Sequence, residues 1–503
     1  MSDSKKINRR EFLGSAAAAS LAMTIVPRQV LGGPGYVAPS DKLTLGYIGC
    51  GTQGMREMTG LIANPAVQIV SVADPNKFTT DYVDWSANGI RDGIRKALGD
   101  SSWGEKFKGI PGGRDIGQEF VNRYYAKSKE TSNYKGCTSY ADFREMFEQD
   151  KDIDAIKNMT PDHLHATVAI ASMKKGMHVV THKPIANRIR EGRLTIETAR
   201  STGMSTHLLA WNNRPGSALI KTWINAGLIG TLKEIHNWSN RPVWPQWQSV
   251  PADKPPVPKG LDWQLWLGPV PDRPYHPNFT HAVFRGWYDF GGGSIADMGH
   301  YSLFNLFLAL GIEKPAYSAE ANATTTCTLR DNVAVGVNNT AAFPLSCMIR
   351  FQFAEQPDLP PFELLWYDGG IRPFIPDELR STGKSIPREG MMIVGDKGKI
   401  LAGFRGEEPV LLPESKMEHI VKNYNREDEG GAGDNVWIEA FRNGKQAPGS
   451  FLLAGPVTET INLGAIALRA KQRVEYDSAN MKITNLPEAN QYLTREYRPG
   501  WEL

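Results

Sequence analysis

Between positions 42 and 215, hydrophobic residues fall into short runs, and each run ends at glycine or polar residues. The runs occupy Lys42–Ile48, Val67–Ala73, Asp154–Met159, His178–Thr181 and Ser205–Ala210. Apolar runs of this length indicate strands buried on both faces, as in a parallel sheet covered by helices. We therefore predict an α/β domain over residues 42–215. Residues 76–136 exceed the length of one crossover, which predicts an insertion containing one or two helices.

The first predicted strand runs into a glycine-rich turn, Gly49-Cys50-Gly51-Thr52-Gln53-Gly54. In dinucleotide-binding turns the first glycine permits the bend, the second lets the backbone approach a pyrophosphate, and the third lets helix and strand pack closely. The second strand ends at Asp74, whose carboxylate would accept hydrogen bonds from ribose hydroxyls and disfavour a 2′-phosphate. The pattern predicts a Rossmann unit that binds NAD through Gly49, Gly51, Thr52, Gln53, Gly54 and Asp74.

The later strands of this domain also end at polar residues. Ligands of such folds bind at the carboxyl ends of parallel strands. The residues that follow these strands are Thr160, Pro161, His165, His182, Lys183, Asn213 and Arg214. We predict that all seven contact the cofactor, and that Lys183 also binds the reacting oxygen and stabilises its developing charge.

The second half of the chain, residues 216–503, has short β-rich stretches separated by glycine, proline and aspartate. The predicted strands are Leu232–Trp238, Tyr317–Thr324, Asn332–Val337, Thr340–Phe353 and Gly390–Leu401, and the predicted helices are Ser302–Leu310 and Ile461–Lys471. Gly395-Asp396-Lys397-Gly398 is a hairpin turn signal. The pattern predicts an α+β domain.

Three consecutive glycines at 291–293 lead into a segment that contains Asp297, His300 and Tyr301. If this segment is helical, Asp297 and Tyr301 share one face and His300 lies beside them. Histidine titrates near neutrality, and a tyrosine beside a lysine can have its pKa lowered. The proton acceptor is therefore His300 or Tyr301, and Asp297 orients the substrate or the base.

These features together resemble the Gfo/Idh/MocA oxidoreductase family, over nearly everything after residue 40. The matching motifs are the glycine turn, the Thr160-Pro161 turn with His165 behind it, a Lys-Pro that closes a strand, and Gly227-Leu228-Ile229-Gly230. The family usually has Glu-Lys-Pro where this chain has His182-Lys183-Pro184, and commonly a histidine at the place of Tyr301. Some members, including glucose–fructose oxidoreductase, have a tyrosine there.

The resemblance implies a second domain built on a large, mostly antiparallel open β-sheet, and a homo-oligomer, either a dimer or a tetramer. It implies an NAD-dependent enzyme that oxidises a sugar or glycoside hydroxyl, at carbon 3, to a keto-sugar. Two alternatives stay open: an NAD-dependent glycosidase that works by transient oxidation and elimination, and a non-catalytic sugar sensor. A sensor would lack the lysine, and Lys183 is present.

Six of the thirteen tryptophans lie within fifty residues: Trp238, Trp244, Trp247, Trp263, Trp266 and Trp287. Indole faces stack on sugars, but tryptophans are also common in cores and interfaces. We expect core packing for most of these side chains and a place in the site for at least one.

The remaining features concern location and partners. Residues 1–33 combine Arg9-Arg10 with a short alanine-rich apolar run, typical of a twin-arginine signal peptide, so we expect a periplasmic protein with a tightly held cofactor. A net charge of +3 on 503 residues gives no support for nucleic-acid binding. No apolar run is long enough to be embedded in a membrane, and the four cysteines form no metal-binding pair.

Overall fold

The structure is a computed structural model, and it describes residues 41–128, 136–418 and 433–503. The predicted signal peptide, residues 1–33, lies outside the described residues. None of the helices in these three ranges combines the length and the apolar character that crossing a membrane requires.

The first sheet has six strands, and all neighbouring strands are parallel. They are β1 (Leu43–Ile48), β2 (Val67–Ala73), β3 (Thr138–Tyr140), β4 (Ala155–Asn158), β5 (His178–Thr181) and β6 (Thr206–Leu208). Their spatial order is β3-β2-β1-β4-β5-β6, the Rossmann order. The predicted Rossmann fold and its five strands are confirmed. The sequence pattern missed β3, which has only three residues.

Helices cover both faces of this sheet. They are α1 (Thr52–Leu61), α2 (Gly89–Leu98), α3 (Arg114–Ser128), α4 (Phe143–Gln149), α5 (His165–Lys174) and α6 (Ile189–Thr202). The predicted insertion contains α2 and α3. Because α3 packs against β2 and β3, it also serves as the crossover helix between these two strands.

The second sheet has nine strands in the order β15-β14-β13-β7-β12-β11-β8-β16-β17. They are β7 (Leu232–Trp238), β8 (Ser318–Ala323), β11 (Cys347–Phe353), β12 (Phe362–Tyr367), β13 (Gly390–Gly395), β14 (Lys399–Ala402), β15 (Val410–Leu412), β16 (Val474–Asp477) and β17 (Lys482–Ile483). The sheet is antiparallel except between β7 and β12, so the predicted fold class is confirmed.

Some predicted strand bounds were wrong. β11 begins at Cys347 and not at Thr340, because the preceding residues form a loop. The stretch predicted at Asn332–Val337 becomes β10 (Val333–Gly336), which pairs with β9 (Cys327–Arg330) in a separate hairpin outside the nine-stranded sheet.

The helices of the second half are α7 (Pro215–Asn225), α8 (Trp263–Leu267), α9 (His300–Leu310), α10 (Asp377–Arg380), α11 (Asn435–Arg442) and α12 (Gly455–Ala470). Side chains of α9 and α12 form one hydrophobic core with the inner face of the nine-stranded sheet. In contrast, Trp437, Ile438 and Phe441 of α11 are buried in the core of the first sheet. The chain after residue 216 therefore contributes to both cores, which the sequence did not predict.

Candidate active site

The glycine turn after β1 has no room for side chains. Gly49 has a φ of +97°, and a Cβ there would lie 2.5 Å from the carbonyl oxygen of Met159. A Cβ on Gly54 would lie 2.1 Å from the carbonyl oxygen of Gly49. Helix α1 begins just after Gly51, with no side-chain cap and no acidic residue in its first turn. Its first N–H groups can therefore receive a phosphate, so the turn fits a dinucleotide.

Asp74 follows β2 and is buried at the same edge of the sheet. Its carboxylate accepts hydrogen bonds from the backbone N–H of Cys50 (2.7 Å) and of Asn76 (2.8 Å). Burial raises the pKa of Asp74 to about 6, although these bonds favour the charged form. Each carboxylate oxygen still has acceptor capacity, so the predicted contact with a ribose hydroxyl is compatible with these bonds.

A cleft opens above this turn. Its lining includes Gly49, Gly51, Thr52, Gln53, Gly54, Asp74, Tyr82, Val83, Trp85, Thr160, Pro161, Asp162, His182, Trp266, Thr280, His281 and Arg285. Nine of the predicted site residues are therefore brought together in one place. Trp266 is the one member of the tryptophan group in this lining, and the indoles of Trp238, Trp263 and Trp287 are buried in hydrophobic cores.

One side of the cleft is covered by the start of the insertion, residues 76–85. Thr52 Oγ1 donates a hydrogen bond to the carbonyl oxygen of Val83 (2.8 Å), and Arg56 forms an ion pair with Asp84. The Tyr82 ring lies 4.2 Å from the His281 ring, centroid to centroid. The cover therefore bridges α1 and the second half of the chain.

A charged cluster lies beside the cleft, where β5 meets the second domain. Lys183 Nζ donates a hydrogen bond to Asp297 Oδ1 at 2.5 Å, and it lies 4.8 Å from the centroid of the Tyr301 ring. His182 Nε2 is hydrogen-bonded to the hydroxyl of Tyr301 at 2.9 Å. The structure thus brings Lys183, Asp297 and Tyr301 together.

The segment that carries Asp297 and Tyr301 is helical, but its first part is a π-helical turn, Ile295–Gly299, that continues into α9. Such wide turns often occur at functional sites. His300 is fully buried on another side of this helix, and its Nδ1 is hydrogen-bonded to the carbonyl oxygen of Ala296 (3.0 Å). Burial lowers the pKa of His300 to about 3. His300 thus takes no part in the hydrogen bond between Lys183 and Asp297 or in the one between His182 and Tyr301.

Burial alone would raise the pKa of Asp297, but the positive charges of Lys183 and Arg285 hold it at about 2. Burial lowers the pKa of Lys183, and the charge of Asp297 partly opposes this. Burial and the charge of Asp297 both raise the pKa of Tyr301. Burial, followed by the charge of Lys183, lowers the pKa of His182 well below its usual range. His182 and Tyr301 are therefore both neutral at pH 7.

Comparison with known proteins agrees with this geometry. The NAD-binding Rossmann model of the Gfo/Idh/MocA oxidoreductases matches residues 117–208, and the C-terminal alpha/beta model of the same family matches residues 219–336. Models of both domains of the Gfo/Idh/MocA oxidoreductases therefore match this chain, one after the other.

One curated relative is the levoglucosan dehydrogenase of Pseudarthrobacter phenanthrenivorans. It is 32% identical over 114 residues, which are 21% of this chain and 29% of that protein. The match therefore spans less than a third of that relative's length.

Two solved structures are also similar. The WlbA dehydrogenase from Bordetella pertussis, in complex with NADH and UDP-GlcNAcA, has 14% identity and a TM-score of 0.50, over 87% of this chain and 99% of that one. Levoglucosan dehydrogenase in complex with NADH and levoglucosan has 15% identity and a TM-score of 0.49, over 86% and 99%. The WlbA likeness shows that the fold is shared.

Four residues that we predicted to contact the cofactor are not part of the described cleft lining, and Lys183, in the charged cluster beside the cleft, is one of them. Both ring nitrogens of His165 are hydrogen-bonded to carbonyl oxygens, of Pro184 (2.5 Å) and Thr160 (2.8 Å), so its buried ring braces two loops. Asn213 and Arg214 lie just before α7, and neither side chain is part of the described cleft lining.

The structure also adds charged residues that the sequence analysis missed. Arg285 Nε donates a hydrogen bond to Asp297 Oδ1 (3.1 Å), and Arg241 Nε lies 3.8 Å from Asp297 Oδ2. The guanidinium carbon of Arg405 lies 5.1 Å from the centroid of the Tyr301 ring. Asp162, which follows β4, accepts a hydrogen bond from the N–H of Gly292 (3.1 Å). No local motif marks these residues, because only the tertiary structure brings them together.

Proposed function

We propose that this protein uses NAD to oxidise a hydroxyl of a sugar or glycoside, at carbon 3, to a ketone. The observation that carries the proposal is the contact between Lys183, Asp297 and Tyr301 beside a cleft that fits a dinucleotide. The matches to both Gfo/Idh/MocA domain models and the levoglucosan dehydrogenase relative support a sugar substrate. The choice of carbon 3 rests on resemblance alone.

In this proposal Lys183 binds the reacting oxygen. Its ammonium group has three N–H donors, and Asp297 occupies one of them. The other donors can point to the substrate. Asp297 holds the ammonium group in place and favours its charged form, so that Lys183 stabilises negative charge on the substrate oxygen as its proton leaves.

Tyr301 is the proton acceptor that the geometry favours over His300. A phenolate is disfavoured here, since burial raises the pKa of Tyr301. The tyrosine can nevertheless accept the substrate proton as it passes its own proton to neutral His182, which is 2.9 Å away. This relay gives a role to the histidine that stands where the family usually has glutamate.

NAD bound in the cleft would accept the hydride, while the protein supplies orientation and charge. We propose that the cofactor is held tightly, because residues 76–85 cover one side of the cleft and are tied to α1 through Thr52 and Arg56. Purified protein should release NAD or NADH only after denaturation. A purified sample with activity but no bound nucleotide would contradict tight binding.

The experiment that tests the reaction is incubation of the purified protein with a panel of sugars and glycosides. We expect NADH absorbance to rise and product mass to fall by two hydrogens. Release of the aglycone without net change in the cofactor would instead support the glycosidase. Binding without either change in every substrate would support the sensor.

Two further expectations remain proposals. We propose that the chain is exported to the periplasm by its twin-arginine segment, which fractionation of expressing cells would test. We also propose a homo-oligomer, whose mass light scattering would measure. A cytoplasmic or a monomeric protein would overturn the corresponding proposal.

A further inference from the structure

Positive charge is in excess around Asp297. Three cationic groups, those of Lys183, Arg241 and Arg285, lie within 3.8 Å of its carboxylate. Arg405 adds a fourth, over the ring of Tyr301. These side chains are only partly accessible to water, with exposed fractions of 2%, 24% and 12% for the first three. Unbalanced charge is costly in such surroundings.

The nearby carboxylates do not balance this charge. Burial raises the pKa of Asp162 to about 6, so at pH 7 it adds only a second negative charge to that of Asp297, against four cationic groups. Glu389 accepts hydrogen bonds from Ser239 Oγ and the N–H of Asn240. Glu407 accepts one from the N–H of Arg405, a backbone group. Within the described ranges, neither glutamate forms an ion pair with an arginine of this cluster.

The two arginines from the large sheet also have unused donors. Arg241 Nη1 donates to Asn240 Oδ1 (2.7 Å), whereas its Nε is buried without a hydrogen bond to any described residue. The Arg405 guanidinium has no hydrogen-bond acceptor in the part of the chain that the structure describes. A guanidinium presents a fork of N–H groups that suits carboxylates and phosphates.

The fold holds these two arginines in place. Arg241 follows β7, and its carbonyl oxygen accepts a hydrogen bond from the N–H of Gly369 (2.6 Å). Asn237, at the end of β7, donates to the carbonyl oxygen of Phe404 (3.1 Å) and accepts a hydrogen bond from Ser302 Oγ in α9. Phe404, which precedes Arg405, and Ser302, which follows Tyr301, are therefore connected through the side chain of Asn237.

We propose that the substrate is an acidic sugar, whose anionic group is held by Arg241 and Arg405 while Lys183 binds the reacting oxygen. This inference rests on the proposed function. A uronic acid supplies a carboxylate and a sugar phosphate supplies a phosphate, and both have the shared chemistry that the arginines recognise. If no anionic group bound there, the excess positive charge would stabilise only the negative charge that develops on the reacting oxygen. Acidic and neutral sugars would then bind equally well.

The test compares matched sugars on the holoenzyme. Methyl β-D-glucopyranoside, D-glucuronic acid methyl glycoside and glucose 6-phosphate are one set, and the corresponding galactose and mannose compounds are two more. Binding is measured by calorimetry, and turnover by product mass. We expect at least one acidic sugar to bind about tenfold more tightly than its neutral counterpart. Comparing the affinity for the uronic acid with that for the sugar phosphate shows which anionic group is preferred.

Arg405→Gln should reduce this preference at least fivefold, and Arg405→Lys should retain most of it because the charge remains. Arg330→Gln is the matched control, since Arg330 is an exposed arginine of β9. Circular dichroism and melting temperature show whether the variants are folded.

Two failures are distinguishable. If no acidic sugar binds, or each binds no better than its neutral counterpart, the inference is overturned. The inference is also overturned if neither Arg405→Gln nor Arg241→Gln changes the binding preference for acidic sugars. If acidic sugars bind preferentially but no sugar is oxidised, the proposed function fails and the charge preference stands.

Discussion

The glycine turn at Gly49–Gly54 and the cluster around Lys183 lie at one edge of the same sheet, but they are built differently. The turn is one continuous segment, and its shape is enforced by backbone atoms that leave no room for a Cβ. The cluster is assembled from separate segments. Lys183 follows β5, Arg241 follows β7, Arg405 follows β14, and Arg285, Asp297 and Tyr301 lie before or within the helical segment 293–310. Ion pairs with Asp297 and the contact of Arg405 with the Tyr301 ring join these segments. Substitutions in the turn should therefore affect folding and cofactor binding together. Substitutions in the cluster should affect substrate binding and chemistry, with little effect on folding.

The largest effect should come from Lys183→Ala. Loss of the ammonium group that stabilises charge on the reacting oxygen should lower kcat by about 10²–10⁴-fold. Arg285 and Arg241 still neutralise Asp297, so the fold should persist by circular dichroism. Lys175→Ala, at an exposed lysine paired with Glu148, is the control and should leave kcat unchanged. Near-normal turnover by the Lys183→Ala variant would show that Lys183 has no part in the mechanism.

The next effect separates Tyr301 from His300. Tyr301→Phe removes the hydroxyl that contacts His182 and should lower kcat by about 10²-fold, at nearly unchanged melting temperature. His300→Gln removes a buried imidazole hydrogen-bonded to Ala296 and should lower stability by about 1–3 kcal/mol with a smaller effect on kcat. The reverse pattern, in steady-state kinetics and thermal melts, would make His300 the base.

Within the turn, Gly54→Ala should weaken NAD binding and lower stability by about 1–3 kcal/mol, because its Cβ would lie 2.1 Å from the Gly49 carbonyl oxygen. Gly60→Ala is a matched control in the same helix, where a Cβ would have no neighbour within 4 Å. That variant should gain about 0.4–1 kcal/mol. Both values come from denaturant titrations with and without NAD. Equal stability of the two variants would show that the turn tolerates a side chain.

The smallest effect is a pH dependence of NAD affinity. Burial raises the pKa of Asp74 to about 6 in the folded protein, so the carboxylate that would accept the ribose hydrogen bonds is ionised above that pH and protonated below it. As pH falls below about 6, NAD affinity should decrease by at most about tenfold per pH unit. Fluorescence titrations between pH 5 and pH 8, on protein refolded after removal of its nucleotide, would measure this. Asp74→Asn should bind NAD weakly with no such slope, and a slope that persists in this variant would assign it to another group.

The sequence alone was sufficient for the features that lie within one continuous segment. Short apolar runs predicted the parallel strands, the spacing of Gly49, Gly51 and Gly54 predicted the cofactor turn, and Lys183 was found from its place at a strand end. Asp297 and Tyr301 were found from their spacing on one predicted helix. Each of these patterns is local, because strand burial, tight turns and helical faces depend on residues that are neighbours in the chain.

Only the tertiary structure decided which residues complete the site. Arg241, Arg285 and Arg405 follow no motif, and they meet at Asp297 and Tyr301 because distant strands and loops pack against one helix. The same reason explains why His165 became a brace and why α11 joined the core of the first sheet. Charge and burial act through space, between residues far apart in sequence, whereas a motif records only the order of residues along the chain.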